Sequence, residues 1–531
     1  MWVILQVWRE GSMVWLNLGE ILRVHAKNYP EKIAVKDWHG KTRTYPELDS
    51  RTNRLANGLL SRGLRKGDRV AVMLYNCVEF VEVCCACAKI GVVVVTVSWR
   101  FVGEEIEYVV NNSDAKVMII GGEFVDVINP IRPSLTSIDE ESLFVVGQAA
   151  PAGYVSYESL VEGCTDRKVD RKVDSKDTWF QIYTSGTTGI PKGVVRSHES
   201  YMSFFLINAV EFGFSQDDNG MIIMPLYHVN STFYGLLFLY IGASLYVGRD
   251  KGFDPVELLR VIDQEKVTFI SLIPTHYHLI LNVPEDVRER FDLSSMRSFL
   301  CSSAPVRSKI KKGILKCFPD VKLYEAYGST EAGLVTILRP EDQLRKLGSM
   351  GRECIGTDVI KLLGENGNEV PVGEVGELYS KGPMMFDEYY KMPEKTENSF
   401  RDDLFTAKDM VKRDNEGYYY IVDRKDNMII TGGEHVYPSE VEEVISRHPK
   451  VFDVAVIGVP DDKWGEAVKA VVILKEGEKA TEEEIADWCR GKMAGYKKPK
   501  SVDFISASEM PRTTTGKILH RKLREKYAQP L

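Results

Sequence analysis

Residues 183–195 read YTSGTTGIPKGVV and hold Thr184, Ser185, Gly186, Thr187, Thr188, Gly189 and Lys192 behind an apolar strand-like run at 179–183. Glycine lets backbone N–H groups approach an anion closely, and successive N–H groups form an anion-binding nest. The hydroxyls add donors and Lys192 adds a positive charge, so the chemistry is that of a phosphate cradle. It is not a Walker loop, because Pro191 precedes the lysine and Gly193 follows it. The bland alternative is a hydroxyl-rich surface turn, which the coincidence of so many specific residue types disfavours.

Two further segments carry suitable groups. Residues 324–333 read YEAYGSTEAG and offer the Tyr327 ring face, the Ser329 and Thr330 hydroxyls beside Gly328, and Glu331, a hard oxygen ligand suited to Mg²⁺ against phosphates. A Tyr-Gly pair followed by Thr-Glu also reads as a helix N-cap. Residues 511–517 read PRTTTGK, where Lys517 is a compact, rotatable cation suited to charge that moves during a reaction. An exposed tail lysine is the ordinary reading of that position.

Together these segments resemble the signatures of the adenylate-forming superfamily, which groups acyl-CoA synthetases, peptide-synthetase adenylation domains and firefly-type luciferases. The resemblance runs in order from about residue 17 to 522 and is nearest to a fatty acid–CoA ligase. It implies an α/β fold, with a large N-terminal domain of stacked β-sheets and packed helices (1–423) and a small mobile α+β C-terminal domain (424–531). It also implies ATP, Mg²⁺ and CoA as reactants or cofactors, with Lys517, Glu331, Thr187 and Lys192 catalytic and Glu331 the metal ligand.

Other positions follow from the same resemblance. Thr184–Gly189, Tyr327, Gly328, Ser329 and Thr330 bind nucleotide, as do Ser303 and Ala304 of LCSSAP (300–305). His228 and Asn230 of PLYHVN (225–230) and Cys301 face the carboxylate substrate, with Phe233 and Tyr234 as further pocket walls; His228 reads equally as a core histidine. Asp409 accepts the ribose hydroxyls, although Ala407-Lys408 stands where the pattern has Thr-Gly. Arg424 contacts ribose and phosphate, Asp426 is the hinge, and Gly432-Gly433 helps form the pantetheine tunnel. Ser439 with Glu442 has the spacing of a capping box.

These residues need rigid supports, and the pattern supplies them. Helical spacing at 45–62, 80–89 and 104–111 alternates with strand-like runs at 69–74, 92–97 and 116–120, which implies parallel sheets covered by helices. Residues 232–247 read as a buried helix and strand. The tandem DRKVDRKVD at 166–174 reads as a solvated loop separating the first sheet region from the chemistry-bearing segment. Beyond 423 the chain is more charged, with strands at 451–459 and 467–474 and a helix at 481–492.

The chain has 531 residues, more than one core usually supports. A net charge of −8 argues against a nucleic-acid surface. Nine cysteines, including Cys84, Cys85 and Cys87 in an apolar helical run, read as core thiols of a reducing compartment. The N-terminus is a poor signal peptide and no run is long enough for a membrane span. A cytoplasmic enzyme is expected, with a homodimer left open. The rival readings are an aryl-acid ligase, a stand-alone adenylation enzyme loading a carrier protein, a luciferase-like oxidase and a catalytically silent nucleotide sensor. The mostly apolar pocket residues favour a medium- or long-chain fatty acid, with CoA as acceptor.

Overall fold

The computed structural model describes residues 17–147, 150–184, 191–302, 306, 308–513 and 516–527. Four sheets organise them. The first runs in spatial order Glu388–Tyr389, Lys192–Ser197, Thr178–Thr184, Val93–Thr96, Arg69–Met73, Ala115–Gly121, Leu143–Val146 and Val155–Ser156. Its middle is parallel, while Lys192–Ser197 pairs antiparallel with both neighbours. The second places Ser298–Cys301 between Phe269–Leu272 and Lys322–Ser329, parallel to both. The expected alternation of strand and helix is therefore present. The parallel strands are nearly continuous apolar runs because helices cover both of their faces.

The helix Val78–Ile90 is buried along its whole length. It packs against the helices Leu18–Asn28 and Tyr45–Ser61. Cys84, Cys85 and Cys87 are core residues there, and no cluster of three or more metal-ligating side chains occurs among the described residues. The helix tolerates a buried Glu82 because its carboxylate meets Arg43 Nε at 3.0 Å, Arg51 Nε at 2.6 Å and the Tyr157 hydroxyl at 2.9 Å. Tyr45–Ser61 begins with a reciprocal capping box between Thr44 and Glu47. No helix among the described residues is long and apolar enough to cross a membrane.

The third sheet holds Val359–Leu363, Val375–Lys381, Asp409–Arg413 and Tyr419–Arg424. The fourth holds only later residues, from Ile429–Thr431 to Ser501–Phe504, and is built on the long antiparallel pair Val451–Asp461 and Gly465–Leu474. One turn of 3₁₀ helix, Lys425–Asn427, joins the two sheets.

Three expectations are corrected. The 166–174 segment does not separate sheets, since Thr178–Thr184 inserts beside Val93–Thr96 in the same sheet as the preceding strands. The segment is an exposed loop, as expected, with Val169 alone buried and with Asp166 accepting from Ser50 and Asp174 meeting Lys66. The helix expected over 481–492 spans only Glu482–Trp488, because the chain turns away through Gly491 at φ 72°. Ser439 forms no capping box. Pro438 occupies the first helical turn, so Tyr437 is the cap, and the Ser439 hydroxyl donates to the Val422 carbonyl instead. Glu442 is thereby free to accept from Val456 N at 2.8 Å and to meet His520 Nε2 at 2.7 Å.

Candidate active site

The glycine-hydroxyl segment connects two strands of one hairpin. Thr184 ends Thr178–Thr184, Lys192 opens Lys192–Ser197, and the two residues are register partners at the mouth of the connection. Ser185, Gly186, Thr187, Thr188 and Gly189 lie outside the described residues, as do Ser303 and Ala304. Lys192 Nζ lies 3.6 Å from Glu331 Oε1 and 3.2 Å from the Tyr389 hydroxyl, and 4.2 Å above the Tyr389 ring. Burial lowers the Lys192 pKa against the opposing pull of Glu331.

Residues 324–333 form a β-hairpin and not a helix start: Lys322–Ser329 turns directly into Gly333–Leu338. Ser329 Oγ closes the turn by accepting from Ala332 N at 2.9 Å. Gly328 is required sterically, since a Cβ there would lie 2.0 Å from the Gly333 carbonyl oxygen. The turn is also clamped from below by Arg196, which is fully buried and donates to the Thr330, Glu331 and Met384 carbonyls. Burial pulls the Arg196 pKa down to about 10. It still carries its charge at neutral pH, stacked 4.7 Å over the Phe233 ring.

Asp409 is buried, and each of its carboxylate oxygens has a neighbour. Oδ2 accepts from the Tyr327 hydroxyl at 2.6 Å, and Oδ1 lies 3.3 Å from Arg424 Nε. Asp409 and Arg424 are register partners in adjacent antiparallel strands, so sheet pairing itself brings them together. Each carboxylate oxygen retains lone pairs for further donors. The residue before Asp409, Lys408, adopts φ 63° in the left-handed region, a conformation that glycine adopts at little cost. The unusual lysine therefore preserves the backbone path.

His228 caps the N-terminus of Val229–Tyr240 with its backbone, and burial lowers its pKa to about 4, with Arg100 adding repulsion. Its imidazole is neutral at physiological pH. Asn230 Nδ2 donates to Ser302 Oγ at 3.1 Å, and Ser302 lies 3.4 Å from Ser271 Oγ, so the 225–230 and 300–302 segments do converge. Cys301 is buried in Ser298–Cys301. Phe233 and Tyr234 belong to the core instead of an open pocket. Phe233 stacks on Phe204 at 3.9 Å, and the Tyr234 hydroxyl donates to Asn208 at 3.2 Å among aromatic neighbours.

In the later segment, Lys517 sits on a turn closed by Thr513 N donating to the Lys517 carbonyl at 2.7 Å and Lys517 N to Thr513 Oγ1 at 3.0 Å. Its side chain reaches solvent, yet surrounding protein and the Arg424 charge lower its pKa to about 8, while Asp409 and Asp423 pull the other way. Asp426 lies in the connecting turn. Gly432 and Gly433 take φ 61° and 85° at the tip of the Ile429–Thr431/Glu434–Val436 hairpin. Any Cβ on Gly432 would meet the half-exposed Trp464 ring at 2.8 Å. Lys497 of the lysine-rich 496–500 stretch is engaged by Glu440.

Two positions here escaped the sequence reading. Tyr389 looks like an ordinary aromatic of a short strand, and Arg196 is a single charge in an apolar strand. A lone arginine at an inward-facing strand position is the signal that was available.

A family model described as AMP-binding enzyme matches residues 22–390, and one described as AMP-binding enzyme C-terminal domain matches 440–517. The chain is 35% identical over 521 residues to the long-chain-fatty-acid–CoA ligase FadD13 of Mycobacterium tuberculosis, covering 96% of this chain and 99% of the relative. It is 35% identical over 506 residues to the feruloyl-CoA synthase of Amycolatopsis sp, covering 94% and 97%. The crystal structure of the anthranilate CoA ligase AuaEII in complex with anthranoyl-AMP superposes with a TM-score of 0.86 at 28% identity, covering 98% of both chains. This chain belongs to the AMP-binding enzyme family, as an adenylate-forming ligase of its acyl- and aryl-CoA group.

Proposed function

We propose that the enzyme activates a medium- or long-chain fatty acid to its acyl-adenylate with release of pyrophosphate, then transfers the acyl group to CoA with release of AMP. The observation that supports this most directly is the convergence of Lys192, Glu331, Tyr327, Asp409 and Arg424 from four sequence segments. In this reading, Asp409 and Arg424 hold the ribose, the Tyr327 ring stacks on adenine, and Lys192 with the 184–189 loop receives the phosphates. The carboxylate oxygen attacks the α-phosphorus, the bond to the β-phosphate oxygen breaks, and pyrophosphate departs. Anion attacks anion, so the barrier is electrostatic, and Lys517 with Lys192 lowers it.

Mg²⁺ fits the donor set. Glu331 is a lone carboxylate without a surrounding protein cage among the described residues, and Mg²⁺ is commonly held by one or two carboxylates plus substrate phosphates. Bound there, it would neutralise phosphate charge. The CoA thiolate then attacks the acyl carbon. We read 1–423 and 424–531 as the two domains and Asp426 as the hinge that alternates Lys517 with the Gly432–Gly433 hairpin at the site. Trp464 beside that hairpin supplies an apolar wall for the pantetheine arm.

The test is a panel of carboxylates with ATP, Mg²⁺ and CoA, scored by AMP release and by mass spectrometry of the thioester. Aliphatic acids of medium or long chain should give the highest kcat/KM. Preference for a cinnamic- or benzoic-type acid replaces the fatty-acid assignment, and acyl-AMP accumulating without thioester replaces CoA by a carrier protein.

A further inference from the structure

Tyr389 is 3% exposed, and its hydroxyl bridges two groups of opposite charge. It donates to Glu331 Oε1 at 2.7 Å and accepts from Lys192 Nζ at 3.2 Å, while the ring face lies 4.2 Å from the same ammonium. Backbone pairing fixes this placement. Glu388–Tyr389 is the edge strand beside Lys192–Ser197, with Tyr389 opposite Val194 and Tyr390 N donating to the Gly193 carbonyl at 2.8 Å. Phe386 N donates to the Glu331 carbonyl at 2.7 Å, so the same short segment also ties down the Glu331 turn. The Phe386 ring packs 4.9 Å from the Tyr389 ring and locks its orientation. Burial and the Glu331 carboxylate together raise the phenol's pKa, which keeps it a neutral donor.

We propose that Tyr389 is a positioning residue for adenylation. Its O–H ties down one oxygen of Glu331 and leaves the other as the metal-facing ligand. Its ring and hydroxyl hold Lys192 beside that carboxylate until a triphosphate draws the ammonium away. The proposal rests on the reading of Glu331 as the Mg²⁺ ligand. A carboxylate with one oxygen fixed samples fewer orientations, and metal sites depend on such outer partners for affinity.

Tyr389→Phe keeps the ring, the Phe386 packing and the cation–π face and removes only the hydroxyl. Calorimetric titration of ATP into the full-length enzyme, with and without Mg²⁺ and without carboxylate, reads the metal-dependent gain in ATP affinity. In Tyr389→Phe this gain should shrink by about tenfold, in the range for lost outer-shell contacts, read as the ratio of affinities with and without Mg²⁺ so that any effect of freeing Lys192 on metal-free binding cancels. ATP–pyrophosphate exchange should slow similarly, while thioester formation from supplied acyl-AMP keeps its rate. An unaltered Mg²⁺ gain overturns the proposal, as does parallel loss of both half-reactions with a lowered melting temperature, which indicates packing alone. Glu331→Gln separates the two levels. If it retains the full Mg²⁺ gain, the metal assignment itself fails; if it loses the gain while Tyr389→Phe does not, only the role of Tyr389 fails.

Discussion

The Lys408 ammonium lies 3.7 Å from the Asp426 carboxylate, so the residue preceding the buried Asp409 is tied to the turn between the third and fourth sheets. The backbone agrees, because Lys425 N donates to the Lys408 carbonyl at 2.8 Å. Lys408 makes this contact from φ 63°, a conformation that costs a non-glycine residue roughly 1–2 kcal/mol.

Lys408→Gly should therefore raise thermal stability. It relieves the left-handed strain and gives up an exposed ion pair worth about 0–1 kcal/mol, while glycine's greater freedom in the unfolded chain offsets part of the gain. An upward shift of the melting midpoint by a degree or two is expected from calorimetry. A fall of several degrees would show that the lysine side chain contributes more than its backbone costs.

Lys517→Ala should cripple ATP–pyrophosphate exchange by about 10²–10³-fold, the scale for losing one preorganised charge-stabilising donor. Thioester formation from supplied acyl-AMP should be nearly unaffected. Equal losses in the two half-reactions would contradict an alternating C-terminal domain.

The same lysine predicts a pH dependence of defined sign. Its pKa is lowered to about 8, so the neutral form takes over as pH rises through that value and the cation needed beside the phosphates is lost. The kcat/KM for ATP, which reports the free enzyme, should fall across this interval. Thioester formation from acyl-AMP should rise instead, because thiolate is the nucleophile. Arginine keeps its charge throughout this interval, so in Lys517→Arg the inflection near 8 should disappear. A flat exchange profile between pH 7 and 9 counts against Lys517 as the acting cation.

Asp426→Pro should uncouple the half-reactions. Proline restricts φ to near −65° in the connecting Lys425–Asn427 turn and removes the backbone freedom a hinge needs. Rapid-quench measurements should show a burst of acyl-AMP with little thioester. Wild-type turnover in this variant would remove Asp426 from the hinge role.

Much of this molecule was legible in residue order alone. The glycine, hydroxyl and lysine types of 184–192 stand out by themselves, because an anion cradle would draw on all three together, whereas Asp409 and Lys517 stand out only through the family resemblance. The β/α alternation was equally plain, since buried parallel strands must be apolar throughout. What tertiary structure alone decided is who meets whom. Tyr389 stands 197 positions from Lys192 and 58 from Glu331, yet one hydroxyl touches both. Ser439 has the spacing of a cap but spends its hydroxyl on Val422, and Phe233 and Tyr234 enter the aromatic core. Local sequence sets propensities over a few residues. Sheet pairing and core packing join segments hundreds of residues apart, and the energies of those contacts are absent from any local pattern.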